Sequence, residues 1–425
     1  MIDGVINLLI LLGLLTILVL LHELGHFVAA RLAGVTVHEF GIGFPPRARV
    51  LFRRGATIYT LNWLPIGGFV RMAGEERSPA DGTPDDDEES AAPLLEPERS
   101  DEVESLDPHA FVNQSLARRL TILVAGAGVN FVLAWLIFTT VAFAAEPVWK
   151  VRLDSVVPDS PAESVGLAGG EFIEYDLFTV RDAAGEPTGE VVPVARYDDS
   201  GDLIVAIDGQ TFPVFDDLTN VEAAASGRIA PLRYLADRPS ETVTLTIERA
   251  DGSGEEVAVT LRSAEEIEAG LGALGFIPGR ADFGQQSNGL VESAVTGLEM
   301  TVATSTLILE AVGNIVVGLF SGSGEGFDEV AGPVGMVSVI GDVRTDLPPI
   351  FLFWFVGLIS ANLAVINLLP IPPLDGSRMV MAVVQRVSGN RVSPATERLV
   401  YFTGWVALMV FLVVVTIGDI QGLAP

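Results

Sequence analysis

Leu20-Leu21-His22-Glu23-Leu24-Gly25-His26-Phe27 follows directly on an almost continuously apolar run from Val5 to Leu21. On a helix, residues four apart share a face, so His22 and His26 can both point an imidazole at one metal ion. Glu23 lies beside them and can take a proton from a water that the metal activates. A charged group deep in a bilayer costs about 2.5–3.5 kcal/mol on insertion scales, so an ionisable cluster in such a run indicates function. The stretch predicts a zinc hydrolase centre on a transmembrane helix.

The whole chain is too apolar for an ordinary soluble protein. Of its 425 residues 49% are hydrophobic, and the mean hydropathy is +0.46, which predicts an integral membrane protein with more than one domain. It contains no cysteine, so His, Asp and Glu must supply any metal site. Much of the formal net charge of −30 lies in one loop and one polar domain, and the arginines are scattered, so nucleic acid is not expected as a partner.

The first apolar run is expected to remain in the mature protein. Its amino end has no positive charge, and no small-residue cleavage site follows. A helix from about Val5 to Leu32 would be about 42 Å long, enough to cross a bilayer and carry His22 and His26 toward its far side. Arginines follow this span and precede the next, Leu120 to Ala144, so the intervening loop is predicted to be cytoplasmic.

That loop contains two different patterns. Apolar segments flank Arg53-Arg54-Gly55, which predicts a β-hairpin, and the Gly-rich segment Pro65 to Met72 adds a strand. Such a hairpin can enter the bilayer only against protein or a watery cavity, which an active site provides. The acidic stretch that follows is expected to be a disordered, solvated tether.

The second span contains Gly126-Ala-Gly-Val-Asn130. Small residues let another helix approach closely, and packing is the simpler explanation of the glycines. Asn130 stays open between a hydrogen bond that holds two helices together and an active-site donor that binds the substrate.

After Pro147 the composition turns polar, with alternating strands and turns that predict a small β-rich domain outside the membrane. Val156 to Leu167, followed by Gly201 to Gly209, resembles a PDZ domain, which binds an extended chain end by strand addition. Residues 168–200 separate two pieces that normally abut. Peptide capture and a role as a steric filter therefore both stay open.

Three apolar stretches remain. Ile350 to Leu369 and Leu399 to Ile417 are expected to span, with a cytoplasmic connection between them. Gly289 to Phe320 carries several glutamates and is expected to lie along the outer membrane surface. If it crossed, Asp375 would lie a bilayer thickness of about 30 Å from the two histidines.

The third span ends in Asn367-Leu-Leu-Pro-Ile-Pro-Pro-Leu-Asp375-Gly376. Prolines break the helix and Asp-Gly predicts a turn, so the carboxylate reaches the face where the two histidines arrive. Asp375 is therefore the expected third zinc ligand. A turn at a membrane end explains the prolines and the glycine, but not Asn362, Asn367 and Asp375 together.

As a set, these motifs and Gly332-Pro-Val-Gly335 resemble the site-2 intramembrane metalloproteases, of the bacterial type that regulates sigma factors. The resemblance implies that His22, His26 and Asp375 hold Zn²⁺, that Glu23 is the general base and that Asn367 helps position the substrate. It also implies that Gly67, Gly68, Phe69 and Val70 pair with the unwound substrate helix. Implied substrates are membrane-spanning proteins such as anti-sigma factors, or signal-peptide remnants.

The predicted fold is a polytopic α-helical membrane protein with four transmembrane helices, a membrane-associated β-hairpin or sheet and one extracytoplasmic PDZ-like β-rich domain. The expected segments are transmembrane helix 1 at 1–34, the β region at 35–74, the acidic linker at 75–110, helix 2 at 116–146, the PDZ-like domain at 148–278 with its insertion at 168–200, the surface segment at 287–346, helix 3 at 348–376, a cytoplasmic connection at 377–398 and helix 4 at 399–418.

The predicted function is intramembrane proteolysis in a bacterial inner or plasma membrane, with the lipid bilayer as surroundings and the active site toward the cytoplasm. The alternative is a non-catalytic membrane adaptor that holds partners through the PDZ-like domain. Glu23 favours the enzyme, because an adaptor needs no carboxylate beside two histidines on one face.

Overall fold

The computed structural model of the protein describes residues 2–74, 107–181, 187–218, 228–321, 331–389, 392 and 394–422. These residues form two compact units, the first from Met1–Val141 and Ala294–Pro425 and the second from Ala142–Ser293. Most of the predicted acidic linker, residues 75–106, lies outside the described residues.

The secondary structure alternates between long helices and groups of strands. In chain order the elements are α1 (Ile2–Ala33), β1 (Val37–Arg54), β2 (Thr57–Met72), α2 (Leu116–Ala145), β3 (Glu146–Val156), α3 (Pro161–Ser164), β4 (Phe172–Arg181), β5 (Pro187–Tyr197), β6 (Leu203–Ile207), α4 (Val214–Leu218), α5 (Ala230–Ala236), β7 (Thr242–Glu248), β8 (Gly254–Thr260), α6 (Ala264–Glu268), β9 (Phe276–Gln286), α7 (Leu290–Ser321), α8 (Pro333–Asp346), α9 (Pro349–Leu368), α10 (Asp375–Ser388) and α11 (Pro394–Gly422).

Five of the described helices, namely α1, α2, α7, α9 and α11, are long and apolar enough to cross a membrane by length and composition. These helices and the sheets fit a polytopic membrane protein with a β-rich domain. Composition thus adds α7 to the four spans predicted above.

Helices α1 and α2 approach each other closely at a glycine. A Cβ atom on Gly25 would lie 2.5 Å from the backbone oxygen of Ala125, so only glycine permits this separation. Nearer the start of α1, Leu11 and Leu18 are buried and pack in one apolar cluster with Ile340 of α8 and Phe355 of α9. Apolar packing and one close backbone contact therefore fix the helix that carries both histidines.

Strands β1 and β2 pair antiparallel, and each strand changes direction partway along its length. Gly41 pairs with Phe69 on one side and with Thr60 on the other. The two strands therefore form four paired segments, and residues 68–72 are the segment at one outer edge. The turn between the strands contains Gly55 with φ 64°, at the predicted hairpin. The buried carboxylate of Glu39 pairs with Arg47 at 2.8 Å and accepts a hydrogen bond from Thr60 at 2.6 Å.

Helix α8 is fixed at both ends. The backbone N–H groups of Gly332 and Gly335 donate to the Asp419 carboxylate of α11 at 3.0 and 2.9 Å. Arg344, near the other end of α8, donates to Asn7 and Asp3 of α1, each at 3.1 Å. Helix α8 therefore lies at the end of the first unit where α1 begins and α11 finishes.

The predicted turn at Asp375-Gly376 is wrong. Asp375 is the first residue of α10, with Leu374 as its N-cap, and an acidic residue in a first turn stabilises a helix through the helix dipole. A Cβ atom on Gly376 would lie 2.2 Å from the backbone oxygens of Leu368 and Leu369. Glycine is thus needed for α10 to begin so close to the end of α9, and α10 occupies much of the predicted connection at 377–398.

The second unit contains a five-stranded antiparallel sheet in the order β8-β7-β6-β3-β9. Its inner face is apolar, with fully buried Leu153, Ile207, Leu245 and Ile247. Residues 168–200 contain a separate hairpin of β4 and β5. The unit extends beyond the predicted 148–278, because β3 and β9 stay paired as far as Glu146 and Gln286.

Candidate active site

Three side chains from two distant parts of the sequence converge in the first unit. Asp375 Oδ2 lies 3.0 Å from His22 Nε2 and 3.0 Å from His26 Nε2, and these two nitrogens are 3.0 Å apart. A point about 2 Å from all three atoms exists, and this is the usual length of zinc–nitrogen and zinc–oxygen bonds. Two imidazoles and one carboxylate also make a common donor set for a catalytic zinc site, which leaves a coordination position open.

Local structure explains why these three groups meet. The histidines lie one turn apart on α1, with ring centroids 4.7 Å apart, and both are buried. Asp375 reaches them from the first turn of α10. A metal ligand must be deprotonated, so Asp375 would bind a metal as its carboxylate.

Helix α2 forms the wall behind both imidazoles. His26 Nδ1 lies 2.8 Å from the backbone oxygen of Ile122, which can only accept a hydrogen bond. One turn later, a Cβ atom on Gly126 would lie 2.4 Å from His26 Nε2 and 2.8 Å from His22 Cε1. Gly126 thus makes room for the metal-binding ends of both rings. Sequence reasoning explained it by helix packing, although its position four residues before Asn130 placed both residues on one face.

Asn130 lies in the same wall, and its exposed fraction is 0%. Its Nδ2 is 3.5 Å from His22 Nδ1. Its backbone oxygen accepts a hydrogen bond from Ser360 Oγ of α9 at 2.8 Å. Asn130 therefore contacts a candidate ligand and a neighbouring helix at once.

The Gly-rich edge of the β1–β2 pair lies against the part of α1 that carries Glu23. A Cβ atom on Gly68 would lie 3.2 Å from Leu20 Cδ1 and 3.8 Å from Glu23 Cγ. Gly67 and Gly68 are buried, whereas Glu23, Phe69 and Val70 are half-buried. The predicted substrate strand and the predicted base are therefore neighbours.

The two asparagines of α9 are placed differently. Asn362 is exposed, and Asn367 is half-buried one residue before the helix ends. Among the described residues, the hydrogen bonds that support the histidines involve Ile122 and Asn130, not Asn362 or Asn367.

Comparison with known proteins identifies the family of this chain. The model of the family described as Peptidase family M50 matches residues 10–411, which include the two histidines, Glu23 and Asp375. The chain belongs to peptidase family M50. This confirms the resemblance drawn from the motifs, and the chain is thus a peptidase rather than an adaptor.

Curated relatives of this M50 chain match it nearly end to end. It is 26% identical to the zinc metalloprotease RasP of Oceanobacillus iheyensis over 96% of this chain and 97% of the relative. It is 27% identical to the probable protease eep of Enterococcus faecalis over 95% and 96%. It is 26% identical to the regulator of sigma-W protease RasP of Bacillus subtilis over 96% of each chain.

Proposed function

We propose that this chain is an intramembrane zinc endopeptidase that cleaves the membrane-spanning segments of other proteins. The observation that carries the proposal is the 3.0 Å triangle of His22 Nε2, His26 Nε2 and Asp375 Oδ2, which begins on a helix apolar enough to cross a membrane. Relatives named as zinc metalloproteases support zinc as the metal.

Each residue of the site has one task in this proposal. His22, His26 and Asp375 hold the zinc, which when bound supplies Lewis-acid polarisation of water and of the scissile carbonyl. Glu23 acts as the base and not as a ligand: its carboxylate takes a proton from the attacking water and delivers one to the leaving amine. The tight packing around Gly25 and Gly126 keeps the ring nitrogens facing Asp375.

Substrate presentation uses the edge formed by Gly67, Gly68, Phe69 and Val70. A transmembrane helix hides its peptide groups in its own hydrogen bonds, so it must unwind locally before hydrolysis. Added as a strand along this edge, the unwound chain regains backbone hydrogen bonds. The nearness of Gly68 to Glu23 then brings a peptide bond within reach of the base. Asn367, and less directly the exposed Asn362, are proposed to contact the same substrate at the end of α9.

The topology has four transmembrane helices, and α7 lies along the extracytoplasmic surface. The amino end of α7 packs beside the later part of α2, where Trp135 Nε1 donates to the Ala294 backbone oxygen at 2.9 Å and Gly297 faces Thr139. From Gly297 to Ser321 the helix rises about 36 Å. The chain reaches Ala331, beside the end of α11, ten residues later, a distance of at most about 36 Å. If α7 crossed the membrane perpendicularly, the ten residues from Ser321 to Ala331 would therefore have to be fully extended to return to the side where α7 begins.

The faces of α7 also support a surface position. Its buried stripe consists of small and polar residues with Met300, and a second, exposed stripe is apolar. Glu292, Glu299 and Glu310 are exposed, and their spacing places them on a third face. A helix with one face for protein, one for lipid and one for water is suited to the membrane boundary.

The second unit is proposed to be the extracytoplasmic PDZ-like domain that controls which chains reach the site. Strand β9 lies at one edge of its sheet, where an added peptide strand would pair. This favours peptide binding over a simple spacer. A relative named as the regulator of sigma-W protease supports anti-sigma factors as substrates, and signal-peptide remnants share the same membrane-spanning chemistry.

Metal analysis of the purified full-length protein, combined with cleavage of a model transmembrane substrate, tests the proposal. We expect about one zinc ion per chain, cleavage within the membrane-spanning segment, and loss of cleavage when a chelator removes the metal. A protein that binds a transmembrane partner, contains no zinc and leaves the partner intact would support the adaptor instead.

A further inference from the structure

We propose that Asn130 is a positioning residue, whose side-chain oxygen accepts a hydrogen bond from His22 Nδ1 and so holds this ring in its metal-binding tautomer. The inference rests on the proposed metal site. It assigns Asn130 to the ligand and not to the substrate.

A neutral His22 carries its hydrogen on one of two ring nitrogens. Its Nε2 faces Asp375 Oδ2 and His26 Nε2, each at 3.0 Å, so Nε2 is the atom available to a metal. A neutral imidazole that binds through Nε2 has its hydrogen on Nδ1. His22 Nδ1–H then needs an acceptor, as a metal-binding histidine ordinarily has.

The Asn130 carboxamide lies beside this nitrogen, with Nδ2 at 3.5 Å from His22 Nδ1. In that orientation two donors would face each other. A half-turn about the Cβ–Cγ bond exchanges the two ends and brings Oδ1 to the ring. In the described part of the chain Oδ1 is buried without a hydrogen-bond partner, so the turn breaks no bond of Oδ1 and satisfies Nδ1–H.

His26 shows the same arrangement with a backbone acceptor. Its Nδ1 lies 2.8 Å from the Ile122 oxygen, which fixes its hydrogen on Nδ1 and leaves Nε2 for the metal. Ile122, Gly126 and Asn130 follow one another at intervals of four residues and so lie on one face of α2. Ile122 and Asn130 provide the two acceptors, and Gly126 between them leaves room for the rings. The helix thus orients both histidines.

One further contact and the burial of Asn130 support this assignment. Its backbone oxygen accepts from Ser360 Oγ at 2.8 Å, which ties α2 to the helix that precedes Asp375. The exposed fraction of Asn130 is 0%, so a substrate chain has no access to its side chain. A substrate-binding role would need such access.

The test compares Asn130→Leu, which removes the acceptor at similar volume, with Asn130→Asp, which keeps an acceptor oxygen. Asn314→Leu is the matched control, because Asn314 is exposed on α7. Zinc affinity of the full-length protein is measured by competition with a chelator of known affinity. KM and kcat for a model transmembrane substrate are measured separately at saturating zinc.

We expect Asn130→Leu to weaken zinc affinity by about 10–100-fold, with KM unchanged at saturating zinc. Asn130→Asp should stay within about threefold of the wild type, and Asn314→Leu should bind zinc like the wild type. Wild-type zinc affinity in Asn130→Leu, equal losses in the Leu and Asp variants, or a raised KM with unchanged affinity would each overturn the inference. A wild-type protein that binds no zinc would instead refute the proposed function.

Discussion

Helices α1 and α7 have 32 residues each, and both are apolar enough to cross a membrane. Their ionisable side chains nevertheless have opposite surroundings. On α1, His22 and His26 are buried and face each other and Asp375. On α7, the three glutamates are exposed. Composition alone therefore cannot distinguish the two helices, and the surroundings of their ionisable side chains can.

The difference has an energetic basis. A carboxylate exposed to hydrocarbon costs about 2.5 kcal/mol or more, so three such groups make a crossing by α7 expensive. The groups on α1 avoid this cost because α2 and α10 close around them and supply hydrogen-bond and charge partners. An ionisable residue in an apolar helix thus indicates a site when other elements enclose it, and a boundary position when they do not.

Cysteine labelling tests directly whether α7 differs from α1 in not crossing the membrane, because a site is either labelled or protected. The chain contains no cysteine, so single substitutions can be read without background. Ser321→Cys at the end of α7 and Asp342→Cys in α8 should both react with an impermeant thiol reagent added outside intact cells. Ser115→Cys, just before α2, should react only after the membrane is opened. Protection of Ser321→Cys in intact cells would show that α7 crosses.

Removal of ionisable groups from the two helices should have unequal effects. His22→Ala is expected to abolish both zinc binding and cleavage, because one of three ligands is lost. Glu299→Ala in α7 should change both by less than about twofold, since surface changes away from partners have small effects. Zinc content and cleavage rate of the two purified variants provide the measurement. Full zinc content in His22→Ala would contradict the assignment of the site.

Gly126→Ala is a smaller change behind the α1 site. Its added methyl group would overlap both imidazoles, so we expect zinc affinity to fall by about tenfold or more. Gly128→Ala is the matched control two residues away, where an added Cβ meets nothing within 4 Å. Chelator competition measures both variants. Equal affinities would mean that the rings can move aside and that Gly126 is not required for their placement.

The sequence predicted some parts of the site because the relevant spacing is local. Four residues between His22 and His26 place both rings on one face of a helix, and the proline-rich segment before Asp375 ends a span near them. The role of Gly126 could not be read in this way, since a glycine in an apolar helix is ordinarily explained by packing. Only the distance from its Cβ position to the two rings reveals its function.

Other features depend on pairing across distance. The extension of the second unit to Glu146 and Gln286 follows from pairing between strands that are far apart in sequence. The helical start at Asp375 depends on the backbone of α9 against Gly376, whereas Asp-Gly alone favours a turn. Local patterns therefore predicted elements and ligands, and tertiary contacts decided boundaries and supporting residues.

The central claim is that α1 carries a hydrolytic zinc centre in which Glu23 acts as the base and not as a ligand. The most direct test is zinc content and substrate cleavage in Glu23→Gln, measured on the same preparation. We expect about one zinc ion per chain, as in the wild type, and a fall in cleavage of about 10²–10⁴-fold, because proton transfer is lost while the three ligands remain. Cleavage at the wild-type rate in a zinc-loaded Glu23→Gln protein would contradict the account.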